Sequence, residues 1–97
     1  MKINRFAARE KMSLVGFADR HKLEMDIREV IKGELYEAHF HDVKLVVNGK
    51  PPIKRVGLGE TEHDAIRDYS QRISTKTIVV ERENGKKETI EVPDLEC

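Results

Sequence analysis

Two histidines and a glutamate form the set of side chains in this sequence that comes nearest to a metal site. His39 and His41 are two residues apart and follow Glu37, so on a β-strand all three side chains leave from one face. Imidazoles and carboxylates are zinc ligands, and Asp42 or His63 could supply a fourth group. The three residues also alternate with apolar residues, however, as the solvent-facing positions of a half-buried strand do. We therefore interpret them as surface residues and expect that the protein needs no metal.

A second short motif, Gly57-Leu58-Gly59, precedes a predicted helix in the manner of a phosphate-binding loop. The dinucleotide fingerprint requires a third glycine, and phosphate binds best where a helix N-terminus is free of negative charge. Here the helix begins with Glu60, Glu62 and Asp64, whose carboxylates repel phosphate and stabilise the helix dipole. The motif therefore predicts a helix start and no cofactor.

No side chain has neighbours in the sequence that would activate it as a nucleophile. Cys97 is the only cysteine, so no disulfide can form within the chain, which fits a reducing compartment. The serines are best explained as helix caps or helix-surface residues. We therefore predict that the protein is not an enzyme.

Basic side chains could instead contact the phosphates of a nucleic acid. Lys and Arg together number 18 and are balanced by 18 Asp and Glu, so the whole chain exerts no net attraction on an anion. Local positive charge remains in the N-terminal segment and near a predicted hairpin. The candidate nucleic-acid-binding residues are Arg5, Arg9, Lys11, Lys50, Lys54 and Arg55.

Two predicted helices carry apolar residues at helical spacing. The first 22 residues are helical in pattern, and Ser13 is expected to start a short helix over Leu14–His21. Thr61 is expected to cap a second helix. The apolar stripe of this second helix consists of Ala65, Ile66, Tyr69 and Ile73.

Five strands follow from alternation and from turn residues such as Asn48-Gly49. They are predicted at Leu23–Ile31, at Tyr36–Val47 with a bulge or bend near His41-Asp42, at Ile53–Leu58, at Thr77–Arg82 and at Lys87–Val92. The order α-β-β-β-α-β-β predicts a single small α+β domain over residues 1–97, with a mainly antiparallel sheet packed on two helices. Its first five elements follow the order of a double-stranded RNA-binding domain.

One face of this sheet and the two helices are expected to form the core. The predicted core residues are Leu14, Phe17, Leu23, Met25, Ile27, Tyr36, Phe40, Ile66, Tyr69, Ile73, Ile78 and Val80. Pro51 and Pro52 lack backbone donors, which predicts a sheet edge at Ile53–Leu58. We expect a monomer, with weak dimers possible through the other edge of the sheet.

Three segments together resemble a group of small uncharacterised proteins encoded by bacteriophages and prophages. They are FADRHKLEMDIRE at Phe17–Glu29, GLGETEHDAIRDYSQRISTKTIVV at Gly57–Val80 and VPDL at Val92–Leu95. The resemblance spans about residues 13–95. Two departures are Thr75, where the group more often has glycine, and the Pro51-Pro52 pair.

This resemblance implies a phage or prophage gene and the cytoplasm of a bacterial host, and it implies no activity, cofactor or binding residue. The favoured hypothesis is a non-enzymatic accessory protein that binds a host or phage protein. An exposed edge strand or the acidic C-terminal hairpin would be the contact surface. The alternative is a nucleic-acid-binding αβββα domain that uses the basic residues named above. No apolar run is long enough for a membrane span, so no membrane partner is expected.

Overall fold

The computed structural model describes residues 12–96, and the predicted helix over the first residues lies outside that range. The two helices are α1 (Leu14–His21) and α2 (Glu62–Ile73). The strands are β1 (Met12–Ser13), β2 (Met25–Ile31), β3 (Leu35–Phe40), β4 (Val43–Val47), β5 (Lys50–Ile53), β6 (Gly57–Gly59), β7 (Thr77–Glu81), β8 (Lys87–Glu91) and β9 (Leu95–Glu96). These elements confirm the predicted class, a small α+β domain whose sheets are mainly antiparallel.

The strands form two antiparallel sheets and one short parallel pair. The three-stranded sheet has the order β2-β3-β6, the four-stranded sheet has the order β5-β4-β7-β8, and β1 pairs with β9 in parallel. Helix α2 packs on β3 and β6. Neither helix within residues 12–96 is long and apolar enough to cross a membrane.

Both predicted helix caps are confirmed. The hydroxyl of Ser13 accepts a hydrogen bond from the backbone N–H of Gly16 at 2.9 Å. The hydroxyl of Thr61 accepts one from Asp64 at 3.0 Å. Each cap satisfies a donor that the first turn of a helix leaves without a partner, which explains why both helices begin where they do.

The predicted strand Tyr36–Val47 is two strands that belong to different sheets. Asp42 has a left-handed backbone with φ 56°, and it turns the chain out of β3 and into β4. The N–H of His41 donates to the carbonyl of Glu24 at 2.8 Å, and the N–H of Glu81 donates to the carbonyl of Asp42 at 2.9 Å. The change of phase near His41-Asp42 is therefore a passage between two sheets.

The predicted strand Ile53–Leu58 is wrong in its bounds. Pro51 and Pro52 lie inside β5, and the chain then leaves that sheet and enters β6 in the other. In the described part of the chain β5 pairs with β4 alone, and proline is tolerated in an edge strand of this kind. The expectation of an edge is thus correct for β5, and β6 is an edge strand as well.

The glycines before α2 allow helix and sheet to make backbone contact. The predicted strand ended at Leu58, whereas Gly57 and Gly59 form β6 together with Leu58. A Cβ on either glycine would overlap backbone atoms of α2, those of Ala65 and Tyr69 at Gly57. The motif is therefore a packing device, and it explains how α2 lies directly on the three-stranded sheet.

The core lies between the helices and the inner faces of both antiparallel sheets. Phe40 contacts residues of both helices. The centroid of its ring lies 5.4 Å from that of Tyr69 on α2 and 6.2 Å from that of Phe17 on α1. The predicted core residues that are buried are Leu14, Phe17, Phe40, Tyr69, Ile73, Ile78 and Val80. Those that are half-buried are Leu23, Met25, Tyr36 and Ile66.

Ile27 is the predicted core residue that the structure contradicts, since it is 38% exposed. β2 packs mainly against β3 and receives no comparable cover from either helix, so alternation alone overestimated its burial. Seven buried apolar residues were absent from the predicted core: Ala38, Val43, Leu45, Ala65, Ile90, Val92 and Leu95.

Candidate protein-binding surface

The three-stranded sheet has one face against α2 and one face that neither α1 nor α2, the two helices within residues 12–96, covers. Ala38 of β3 lies opposite Gly57 of β6 and Ile27 of β2, which places these positions on the α2 side. The intervening positions point to the other side, which we call the open face. The open face consists of Asp26, Arg28, Ile31, Leu35, Glu37, His39 and Leu58.

Ile31 reaches the open face because of a β-bulge. The pairing of Glu29 with Tyr36 is followed by that of Ile31 with Leu35, so Val30 is an extra residue in β2. An extra residue shifts the alternation by one position. Regular alternation along β2 would place Ile31 on the same side as Met25, and the bulge places it on the opposite side.

Three apolar side chains of the open face are neighbours. Ile31 is paired with Leu35, and Leu58 is paired with Glu37, which puts Leu58 diagonally next to Leu35. Ile31 is 50% exposed and Leu58 is 43% exposed, while Leu35 is half-buried. We call Ile31, Leu35 and Leu58 the apolar patch.

Charged groups border the apolar patch. The guanidinium of Arg28 donates to the carboxylate of Glu37 at 3.0 Å, and the Arg28 side chain is 71% exposed. An exposed ion pair of this kind contributes little to stability. The open face therefore combines exposed apolar side chains with an ion pair in which the arginine is accessible and the side chain of Glu37 is 16% exposed.

His41 lies beyond the end of β3 and faces two carboxylates. Its Nδ1 is 2.9 Å from Oδ2 of Asp26, and its Nε2 is 3.2 Å from Oδ2 of Asp42. The hydrogen bond with Asp26, and then the negative charge of Asp42, raise the pKa of His41 above its ordinary value of 6.5. The charged imidazolium is the form that can donate to both carboxylates.

The predicted metal ligands do not converge. Glu37 pairs with Arg28, and His39 places its Nδ1 2.9 Å from the carbonyl oxygen of Phe40. His41 is held by Asp26, and His63 is exposed at the start of α2. Within residues 12–96, no three His, Cys, Asp or Glu side chains are grouped so that they could hold a metal ion.

Two open clefts lie beside the His41-Asp42 turn. The larger has a volume of about 600 Å3 and lies between the end of α1 and the β7–β8 turn. The smaller, of about 350 Å3, lies between the open face and β4. Neither lining contains a serine, threonine, cysteine or tyrosine among the described residues. Within the described residues, the side chains that line the two clefts with His41 therefore include no hydroxyl or thiol group.

The predicted nucleic-acid-binding residues are only partly brought together. Arg5, Arg9 and Lys11 lie outside the described residues. Lys50 begins β5, Lys54 follows it and Arg55 is half-buried in the link to β6.

A lysine that sequence reasoning missed joins this group. Lys44 lies on β4, where the pairing of Leu45 with Ile53 brings it next to Lys54, and both lysines line the smaller cleft. The ion pairs found within residues 12–96 involve neither of them.

Comparison of the chain with protein-family models, with curated proteins and with solved structures gives no match.

Proposed function

We propose that the protein is a non-enzymatic accessory protein of a bacteriophage or prophage that binds a host or phage protein through its open face. The observation that supports this proposal is the apolar patch of Ile31, Leu35 and Leu58, two members of which are 50% and 43% exposed. Apolar groups surrounded by charged ones are typical of protein–protein contacts, where the centre is dehydrated and the rim remains wet.

The described linings of the two clefts contain no hydroxyl or thiol that His41 could activate. A histidine between two carboxylates can act as a base only if a substrate or a nucleophile lies within hydrogen-bond reach. The groups that line the clefts with His41 are carboxylates, basic side chains, an asparagine and apolar side chains. The resemblance of three segments to phage and prophage proteins supports an origin in a phage gene and a role in the bacterial cytoplasm.

The proposal is tested by capture of partners from bacterial lysate with matched variants. The test variant carries Ile31→Ser and Leu58→Ser, which remove apolar surface without adding charge. The control variant carries Val15→Ser, which removes a side chain that is 70% exposed on α1. We expect one stoichiometric protein on the wild type and on the control, and its loss on the test variant.

Equal capture by all three proteins would refute the open face as the contact. Absence of a stoichiometric protein from every sample would refute the role in protein binding. Circular dichroism should give the wild-type signal for every variant. A loss of capture is then caused by the changed surface side chains and not by unfolding.

A second candidate function, nucleic-acid binding, is favoured by the lysines of the β4–β5 hairpin. Lys44 and Lys54 lie side by side at the smaller cleft, and Lys50 lies at the other end of β5. Carboxylates in the first turn of α2, Glu62 and Asp64, oppose binding at that helix start. The αβββα order of a double-stranded RNA-binding domain has three consecutive strands between its helices. Here β4 and β5 lie between β3 and β6 in the chain and belong to the other sheet, so the three strands β2, β3 and β6 are not consecutive.

Labelled duplex DNA and RNA test this second function. Binding through lysines should weaken steeply as salt is raised, because each phosphate contact releases counterions. The double variant Lys44→Ala/Lys54→Ala should then lose affinity, whereas Lys87→Ala on β8 should not. No binding at low salt would eliminate this candidate.

A further inference from the structure

Three of the four outer edges of the two antiparallel sheets are blocked against strand addition. β5 contains Pro51 and Pro52, which lack N–H donors. In β6 the N–H of Leu58 is taken by the carboxylate of Asp68 at 2.9 Å. β8 carries exposed charged side chains along most of its length.

The fourth edge, β2, is long, and among residues 12–96 its outer side has no strand partner. β2 has seven residues, and Ile27, Val30 and Ile31 are 38%, 42% and 50% exposed. An exposed edge strand with apolar side chains is a template for another strand. The charged residues of β2 determine which strand can pair with this edge.

The hydrogen-bond pattern shows which backbone groups of β2 point outward. The N–H of His41 donates to the carbonyl of Glu24, so this pair belongs to the hydrogen-bonded class of the β2–β3 ladder. Hydrogen-bonded and non-hydrogen-bonded pairs alternate in an antiparallel ladder. The backbone groups of Met25, Ile27 and Glu29 therefore point away from β3, toward the open edge.

The charged side chains of β2 face opposite charges when two copies of β2 pair antiparallel in one particular register. If two copies pair antiparallel about a two-fold axis at Ile27, Asp26 of each copy lies opposite Arg28 of the other. These are non-hydrogen-bonded positions, where opposing side chains come closest. Met25 and Glu29 then lie opposite each other and, with Ile27, form about six backbone hydrogen bonds between copies.

Every neighbouring register opposes like charges. An axis at Asp26, Arg28 or Glu29 places that residue opposite its own copy. An axis at Met25 places Glu24 opposite Asp26. Like charges directly opposite each other destabilise a strand pair, and an axis farther along falls in the bulge at Val30.

We propose that a second copy of this chain pairs with β2, antiparallel and with Ile27 on the two-fold axis, to form a continuous six-stranded sheet. The contact consists of the backbone edge of β2 together with Asp26 and Arg28 at the border of the open face, and it goes beyond the proposed function, which concerns a different protein partner. In the dimer, Arg28 lies between Glu37 of its own chain and Asp26 of the second copy. One strand per copy forms the contact, so the dimer dissociates on dilution.

The test is analytical ultracentrifugation of two charge variants of the full chain, alone and mixed. In a dimer of the Asp26→Lys variant, the introduced lysine faces Arg28 of the other copy. In a dimer of the Arg28→Glu variant, the introduced glutamate faces Asp26. Each variant alone should therefore remain monomeric at concentrations where the wild type dimerises. An equimolar mixture should dimerise again, because the introduced lysine then faces the introduced glutamate, and the remaining Arg28 faces the remaining Asp26.

Asp19→Lys and Arg67→Glu are the matched controls, since they make the same charge changes at exposed helix positions. Each should dimerise on its own as the wild type does. A wild type that stays monomeric at all concentrations would overturn the proposal. So would dimers of either β2 variant alone, or a mixture of the two that stays monomeric.

Discussion

Gly57→Ala should destabilise the fold more than the size of one methyl group suggests. The added Cβ would overlap the backbone N of Tyr69 and the carbonyl oxygen of Ala65. Both obstacles are helix backbone, so no side chain can rotate away and α2 must move off β6. Overpacking of this kind costs about 1–3 kcal/mol.

An opposing effect must be subtracted from this cost. Alanine restricts the unfolded chain more than glycine does, which stabilises the folded state by about 0.4–1 kcal/mol where the native backbone suits it. The steric effect is larger, and we expect a net loss of about 1–2 kcal/mol in the free energy of unfolding. A loss of this size is a substantial part of the stability of a small domain.

Urea denaturation followed by circular dichroism measures this loss, and Gly85→Asn is the control. Gly85 has φ +85° with open space around it, and asparagine tolerates that conformation. The control should therefore cost less than Gly57→Ala. A Gly57→Ala protein within about 0.5 kcal/mol of the wild type would refute direct backbone packing of α2 on β6.

Three further predictions concern single groups. Thr61→Ala should cost about 1 kcal/mol, because the N–H of Asp64 loses its capping partner, and thermal unfolding measures this. The pKa of His41 is raised in the folded protein, so the contribution of His41 to stability is present below pH 6.5 and is lost as the pH rises through the folded pKa. NMR titration of the Asp26→Asn variant should give a lower pKa for His41. An unchanged pKa would contradict the hydrogen bond with Asp26 as its cause. Burial raises the pKa of Tyr69 to about 12. Stability should therefore fall as the pH rises above about 10, because the unfolded chain releases the phenolic proton of Tyr69 before the folded chain does. A Tyr69→Phe protein with the same alkaline unfolding profile as the wild type would contradict this prediction.

The features that the sequence predicted well depend on contacts close in the chain. Ser13 and Thr61 cap their helices through bonds to residues three positions on, and the stripe of α2 follows from its own periodicity. The β7–β8 hairpin was predicted within one residue at each strand end for the same reason.

The features that were missed depend on distant parts of the chain. Asp42 turns the chain between sheets, and its carbonyl is held there by Glu81, which lies far along the sequence. Gly57 suggested a break, since sequence cannot distinguish a glycine needed for a turn from one needed for close packing. The bulge at Val30, which moves Ile31 to the open face, has no turn residue to mark it.

Methyl NMR of the protein, free and bound to the partner that the wild type captures, tests directly whether the open face is the binding surface. We expect the methyl signals of Ile31, Leu35 and Leu58 to shift or broaden on binding. Those of the buried residues Ile78 and Ile90 in the four-stranded sheet should keep their positions. Unchanged signals from the apolar patch, with shifts confined to the four-stranded sheet, would contradict the open face as the binding surface.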